Sequence, residues 1–323
     1  MFKKLVVPFI LGTSLLAAGC SSDGAGGSGE DRINFATGTT TGIYYPSGSI
    51  ISDLWSNEIE DITASSQASN GSVQNINFIQ QGEADVGWTT AGVAIDAYNG
   101  DASFDGRAYE DLRVIAALYP NYNYFVARDG GGVEEIADVE GKQFAPGATG
   151  SATETEAERT IGLYGLTFDD VNTNFVGFTE ATDLMRNNQI DAAMVNAGIP
   201  TSAVSEMLST ADGKLLSMEQ DKIDELMADN PFYVQLDIPA GTYENQDYDV
   251  KTVAQYNFIV ADARMSDEVA YELVSTLWEN LDDIKGSHGV FEQFDVQLAT
   301  EGIANVPVHP GAERYYQEQG VIE

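Results

Sequence analysis

Two stretches of this chain repeat one another in register. Ala84-Asp-Val-Gly-Trp-Thr-Thr-Ala-Gly-Val93 lies on Ile190-Asp-Ala-Ala-Met-Val-Asn-Ala-Gly-Ile199, with Asp85 on Asp191, an offset of 106 positions. Upstream, Phe35-Ala-Thr-Gly38 lies on Phe144-Ala-Pro-Gly147 at an offset of 109. Either match alone could be chance. A nearly constant offset, with Gly-loop, helix, strand and second loop in the same order, predicts two similar lobes. Short apolar runs alternate with helical stretches from Ile33 onward, which reads as βα units around mostly parallel sheets. Two lobes of that kind bring two sets of strand C-terminal loops to one crevice, where open α/β sheets bind ligands.

The first of those loops is Phe35-Ala-Thr-Gly-Thr-Thr-Thr-Gly-Ile-Tyr-Tyr-Pro46. Ile33-Asn-Phe-Ala is read as a strand and Pro46–Ile59 as a helix, with Pro46 at its first position. Ile50, Ile51, Leu54, Trp55 and Ile59 recur at helical spacing and give that helix a buried face. The loop then aims free N–H groups and a partial positive charge beyond the strand, an arrangement that accepts a carboxylate without a basic side chain. An ordinary βα connection is the other reading of the same residues.

The rest follows the same alternation. Ile62-Thr-Ala is a short strand ending in the polar loop Ser65–Ser72, with Ser69 or Asn70 capping a helix that stops at Gly82. Ala84–Trp88 is a strand, and Thr89–Val93 opens the next helix. Leu112–Leu118 is an apolar strand running into Tyr119-Pro120, and Tyr124–Arg128 is the crossing into a new unit. The strand at Gln143–Ala145 leads to a second Gly/Thr loop, Gly147–Glu156, where Ser151 and Glu154 have capping-box spacing. Asn172–Phe178 is expected as a strand, Thr179–Gln189 as a helix, Asp191–Gly198 as a strand and loop, and Asp267–Asn280 as a helix. The lobes so delimited are 31–122 plus 237–323 and 123–236.

The candidate ligand-binding residues come from these loops: Thr39, Thr41, Gly42, Tyr44, Tyr45, Gln67, Ser69, Asn70, Thr89, Thr90, Thr149, Gly150, Ser151, Thr153, Asn196 and Gly198. They supply hydroxyls, amides and backbone N–H groups, which suit a carboxylate. Trp88 and Tyr119 join Tyr44 and Tyr45 as aromatics able to wall a ligand's stem.

Other chemistries have little material. The only two histidines, His288 and His309, lie in a C-terminal segment away from the loops, so a Ser/His/Asp arrangement is poorly served. No histidine cluster suits a metal, no Gly-x-x-x-x-Gly-Lys loop suits a nucleotide, and no cofactor is expected. A formal net charge of −36 excludes non-specific nucleic-acid binding. The charge is spread along a chain of globular composition, which argues against disorder and for a protein adapted to high salt, where self-repulsion is screened.

The first 19 residues read as a cleaved signal peptide. Lys3-Lys4 precede the apolar run Leu5–Leu16 and the small residues Ala17-Ala18-Gly19. Cys20, the only cysteine, resembles the acylated cysteine of a bacterial lipobox, although Ala17 stands where leucine is usual, and plain cleavage is the alternative. Residues 20–30, rich in Gly and Ser, read as a flexible tether. The chain is thus expected to be exported by the general route and lipid-anchored to a membrane in a halophilic or marine bacterium.

Several motifs resemble a known family. GTTTGIYYP, NGSVQNINFIQQGEADVGW, AYNG, LYP, FAPGATGSATETEAE, QIDAAMVNAGIPT, NPFYVQLDIPAGTY and VPVHPGAERYY follow in order from about Ile33 to Tyr316. They are similar to the TAXI solute-binding proteins of TRAP transporters. The resemblance implies a two-lobed periplasmic-binding-protein fold (type II) with the cleft between α/β lobes. It further implies a periplasmic receptor, not an enzyme, that closes on a small carboxylate or amino acid, often glutamate-like, and delivers it to an ion-gradient-driven permease. That family is not defined by one carboxylate-clamping arginine, and arginine is scarce near the loops here. Trp88 and Thr39-Thr40-Thr41 depart from the expected pattern at the pocket. A secreted hydrolase or an adhesive lipoprotein is the rival expectation.

Overall fold

The computed structural model describes residues 31–323; the expected signal peptide, Cys20 and the expected tether lie outside the described residues. The chain runs β1 (Asp31–Ala36), α1 (Tyr44–Glu58), β2 (Ile62–Gln67), α2 (Ser72–Gln81), β3 (Val86–Thr90), α3 (Ala91–Asn99) and β4 (Leu112–Arg128). It continues through β5 (Gln143–Ala145), α4 (Ala152–Gly162), β6 (Asn172–Thr173), α5 (Phe178–Arg186), β7 (Ala192–Ala197) and α6 (Ser202–Thr210). It ends with β8 (Gly213–Leu216), α7 (Gln220–Asp229), β9 (Val234–Gln235), β10 (Val253–Asp262), α8 (Asp267–Glu279), α9 (Leu281–Ile284) and α10 (Pro310–Glu318).

The strands follow the order β2-β1-β3-β10-β4-β7-β5-β6, with β8 on β4 and β9 on β10. Two parallel triplets, β2-β1-β3 and β6-β5-β7, are joined through the antiparallel strands β10 and β4. The sequence repeat is visible as matching register. Phe35 pairs Val86 and Ala36 pairs Gly87 in one triplet; Phe144 pairs Ala192 and Ala145 pairs Ala193 in the other. The repeated aspartates do the same work in both. Asp85 accepts the Asn34 N–H at 2.8 Å, and Asp191 accepts the Gln143 N–H at 3.1 Å, each carboxylate stitching the start of two parallel strands.

Burial explains the composition of these strands. All five residues of β3 and all six of β7 are buried, as expected of parallel strands covered on both faces. On β10, Phe258 and Val260 face the layer of α2, α3 and α4, whereas Ile259 and Ala261 face α1, α8 and α10, following the two-residue period of a strand. The face of α1 is anchored by Ile51, Leu54 and Trp55, whose indole N–H donates to the Leu273 carbonyl on α8 at 2.9 Å. Gly48 lets this helix sit close: a Cβ there would come within 2.5 Å of Thr37 Cγ2.

Several local expectations are corrected. Helix α1 starts at Tyr44, so Pro46 occupies the third helical position, still in the first turn where its missing N–H is harmless. Strand β2 extends to Gln67. The cap of α2 is Gly71 at φ 114°, which a side-chain-bearing residue rarely adopts; Ser69 instead accepts the Gly71 N–H. Strand β4 is continuous through Pro120 because the proline lies beside a register shift against β10, between Tyr256 and Phe258. The expected strand at Asn172–Phe178 shrinks to two residues, and α5 begins at Phe178. Ser151 caps α4 by accepting the Glu154 N–H at 3.1 Å, while the Glu154 carboxylate reaches Gly150 rather than Ser151.

Candidate functional site

Four helices begin at one cavity. Its wall includes the starts of α1 (Gly42, Ile43, Tyr44), α2 (Gly71, Ser72), α4 (Ser151, Ala152, Thr153) and α5 (Gly177, Phe178). Each follows a parallel strand, β1, β2, β5 and β6 respectively, so each half of the repeat contributes two helix starts. No side chain caps α1, α2 or α5 at Ile43, Gly71 or Gly177. Their first N–H groups have no intrahelical acceptor, and each helix end carries roughly half a positive charge. None of the wall residues is an Asp, Glu, Lys, Arg or His. The positive potential is therefore supplied by backbone alone.

Hydrogen bonds join the facing loops at the rim of this cavity. Asn70 Nδ2 donates to the Thr149 carbonyl at 3.1 Å, and the Gln74 N–H to the Gly150 carbonyl at 3.1 Å. Thr179 and Thr41 join hydroxyls at 3.0 Å on the opposite rim. The space within is about 60 Å³, several times what one water needs.

Strand β4 forms the floor, through Tyr119 and Asn121. Tyr44 is the cavity end of an aromatic column. Its ring stacks on Trp88 at 5.2 Å, Trp88 on Phe35 at 5.7 Å, and Phe35 on Trp55 at 5.5 Å. Tyr44 donates its hydroxyl hydrogen to Asn257 Oδ1, and Asn257 Nδ2 in turn donates to the Tyr119 carbonyl at 2.9 Å. Burial pushes the phenols of Tyr44 and Tyr119 well above the ordinary tyrosine range, so both are neutral. Tyr119 is fully buried and its hydroxyl has no partner; Asn121 Oδ1 is also buried without a donor. Buried polar groups are ordinarily paired; Trp88 Nε1 and Thr90 Oγ1 are unpaired in the same way.

A profile of the NMT1-like family matches residues 35–320. The chain belongs to the NMT1-like family. Among solved structures, a protein from Bordetella bronchiseptica RB50 aligns with a TM-score of 0.54 at 17% identity, covering 89% of this chain and 82% of that one. The alkanesulfonate-binding protein SsuA from Xanthomonas axonopodis pv. citri, bound to MOPS, aligns with a TM-score of 0.50 at 14% identity, covering 88% and 82%. At these identities the likeness concerns the fold, which is that of the two-lobed type II periplasmic binding proteins.

In this NMT1-like chain the cavity gathers seven of the residues expected from sequence: Thr39, Gly42, Tyr44, Asn70, Ser151, Thr153 and Asn196. The others belong to the same loops but not to the wall. Thr41 is at the rim, tied to Thr179. Gln67 and Ser69 brace the first loop: the Gln67 carbonyl accepts from Thr37, and Ser69 bonds Asn75 Oδ1 at 2.5 Å. Thr149 and Gly150 contribute carbonyls to the closing contacts. Tyr45 is outside the wall because it lies on the next position around α1 from Tyr44. Thr89 and Thr90 are buried beneath the wall, Thr90 taking Ser72 Oγ as acceptor for its N–H at 3.2 Å. Gly198 sits under Tyr119, where a Cβ would come within 3.0 Å of the ring, and its carbonyl accepts from Tyr124 at 3.2 Å. Sequence reasoning missed Ser72, Asn121, Gly177 and Phe178. Asn121 carried a readable signal: an asparagine inside a largely apolar strand must find partners.

His309 and His288 have structural roles. His309 is buried and caps α10, its Nδ1 accepting the Gly311 N–H at 3.2 Å and its Nε2 facing the Met265 carbonyl at 3.1 Å. His288 accepts the Val290 N–H in the same manner. Among the described residues, no group of His, Cys, Asp and Glu is arranged to hold a metal, and no helix is long and apolar enough to cross a membrane.

Proposed function

We propose that this chain is an extracytoplasmic solute receptor that closes on a small carboxylate or amino acid. The observation that carries the reading is the convergence of four helix N-termini on one cavity whose wall holds no charged side chain. Such a site stabilises an anion by fixed dipoles and N–H groups. The lobes are 31–122 plus 237–323 and 123–236, pivoting over β4 and β10. The change of β4 from β10 to β7 as partner at Tyr122 supports that division.

The finer assignment follows the motif resemblance. The chain is a TAXI receptor that hands its solute to a TRAP permease, is held at the membrane by lipid on Cys20, and works in a halophilic or marine bacterium. The named ligand residues, from Thr39 to Gly198, divide into wall and bracing groups as described above. Thermal melts of the solute-stripped protein at high salt test the reading, using a panel of organic acids, amino acids and, prompted by the sulfonate receptor of similar fold, alkanesulfonates. Binding to the folded state raises Tm by mass action. A panel in which no anion shifts Tm refutes the receptor, and an adjacent gene for an ATPase in place of a large multi-span permease refutes the TRAP assignment.

A further inference from the structure

Three asparagines connect the cavity to a buried carboxylate and give the cavity floor a fixed polarity. Glu156, fully buried on α4, accepts from Asn123 Nδ2 at 2.7 Å, from the Tyr233 hydroxyl at 2.6 Å and from Arg159 Nη1 at 3.1 Å. With its amide nitrogen committed to the carboxylate, Asn123 turns Oδ1 the other way, where it accepts from Asn196 Nδ2 at 2.7 Å. Asn196 Oδ1 then accepts from Asn121 Nδ2 at 3.1 Å. The orientation of each amide is dictated by the one behind it, since an amide has one accepting and one donating end. The last member, Asn121, has its carbonyl oxygen left over, buried and with no protein donor, in a residue of the cavity floor. The Tyr119 hydroxyl, from the same cavity floor, is also without a partner.

We infer that the site is built for a small 2-hydroxy monocarboxylate. This rests on the reading of the cleft as a receptor for small acids. The helix N-termini and the Tyr119 hydroxyl take the carboxylate, and the ligand's hydroxyl donates to Asn121 Oδ1. An amino acid fits less well. Its ammonium would meet four positive helix ends and only neutral acceptors, with no carboxylate in the wall, and a buried charge without a counter-charge is strongly disfavoured.

Titration calorimetry on the solute-stripped full chain, at high salt, compares lactate and glycolate with propionate and acetate and with alanine and glycine. The hydroxy acids are expected to bind about tenfold or more tighter than the acids lacking the hydroxyl, as the cost of leaving a buried carbonyl unpaired requires. The amino acids are expected to bind most weakly. Equal affinities for lactate and propionate, tightest binding of alanine, or no binding by any of the six overturns this inference; the receptor reading falls only if the wider panel of acids and alkanesulfonates also fails to raise Tm. Asn121→Asp supplies the missing counter-charge and is expected to move preference from lactate toward alanine. A variant that binds both with the wild-type ratio also overturns the inference.

Discussion

Arg159→Met isolates the charge cluster behind the cavity. Arg159, on α4, pairs with Asp96 on α3 at 2.5 Å and with Glu156 at 3.1 Å, and its guanidinium lies 5.5 Å from the Phe232 ring centre. These side chains are 17%, 12% and 0% exposed, so solvent screens them little. Methionine keeps most of the stem's packing and removes the charge, leaving two buried carboxylates without a cation. Removing one partner of a buried pair costs about 3–5 kcal/mol, and slight solvent access puts this case near the lower end. For a chain of this size about 1 kcal/mol corresponds to ~2–4 °C in Tm, so a fall of ~6–12 °C is expected in calorimetric melts. Asp96→Asn behaves differently. Burial raises the Asp96 pKa despite the neighbouring arginine. The folded protein therefore binds a proton there more readily than the unfolded chain, and this group's contribution worsens as pH rises from its ordinary carboxylate range through the raised value. At neutral pH the neutral amide should leave stability within ~1 kcal/mol of wild type or improve it. An Arg159→Met protein that melts within 2 °C of wild type, taking ~2 °C as the shift for under 1 kcal/mol, refutes the claim that the cluster is desolvated.

Three further outcomes are expected. Burial lowers the His309 pKa, so the unfolded chain takes the proton first and stability is lost as pH falls below the ordinary histidine value; His309→Asn, which can still cap α10, should flatten that part of a Tm-versus-pH curve. Tyr119→Phe removes an unpartnered buried hydroxyl, so solute-free Tm should hold or rise while affinity for a bound acid falls about tenfold, read by calorimetry. With a net charge of −36, Tm should climb between about 0.1 M and 2 M KCl as self-repulsion is screened; a flat curve argues against adaptation to high salt.

The parts of the fold that were legible are those encoded locally and twice. Asp85 and Asp191 announce the start of a parallel strand because each must accept the N–H of the neighbouring strand, at Asn34 and Gln143. The glycine loops at Gly38 and Gly147 likewise precede helices in both halves. What escaped is what depends on partners far along the chain. Pro120 reads as a break, and only the register shift of β10 opposite it lets β4 continue. The strand begun at Asn172 was read on to Phe178 because two residues are too short for a periodic signal to set its end.

The same division runs through the site. Helix starts are local, so the loops at Thr39–Tyr44 and Ser151–Thr153 were found. Which loop residues face inward is not local: Tyr44 and Tyr45 are neighbours with the same side chain, yet only Tyr44 lies where it can stack on Trp88 and bond Asn257. The floor was harder still. Asn121 belongs to a strand most of whose residues are core, and its meaning comes from Asn196, Asn123 and Glu156, which are brought into line only when β4 pairs with β7 and α4 packs behind them. Composition tells that this protein carries many carboxylates; only the fold tells that one of them, buried at Glu156, orients an amide three residues removed through the relay. If that polarity is what selects the ligand, then Glu156→Gln, which no longer forces Asn123 to present nitrogen, should weaken the preference for lactate over propionate more than it weakens binding of propionate itself.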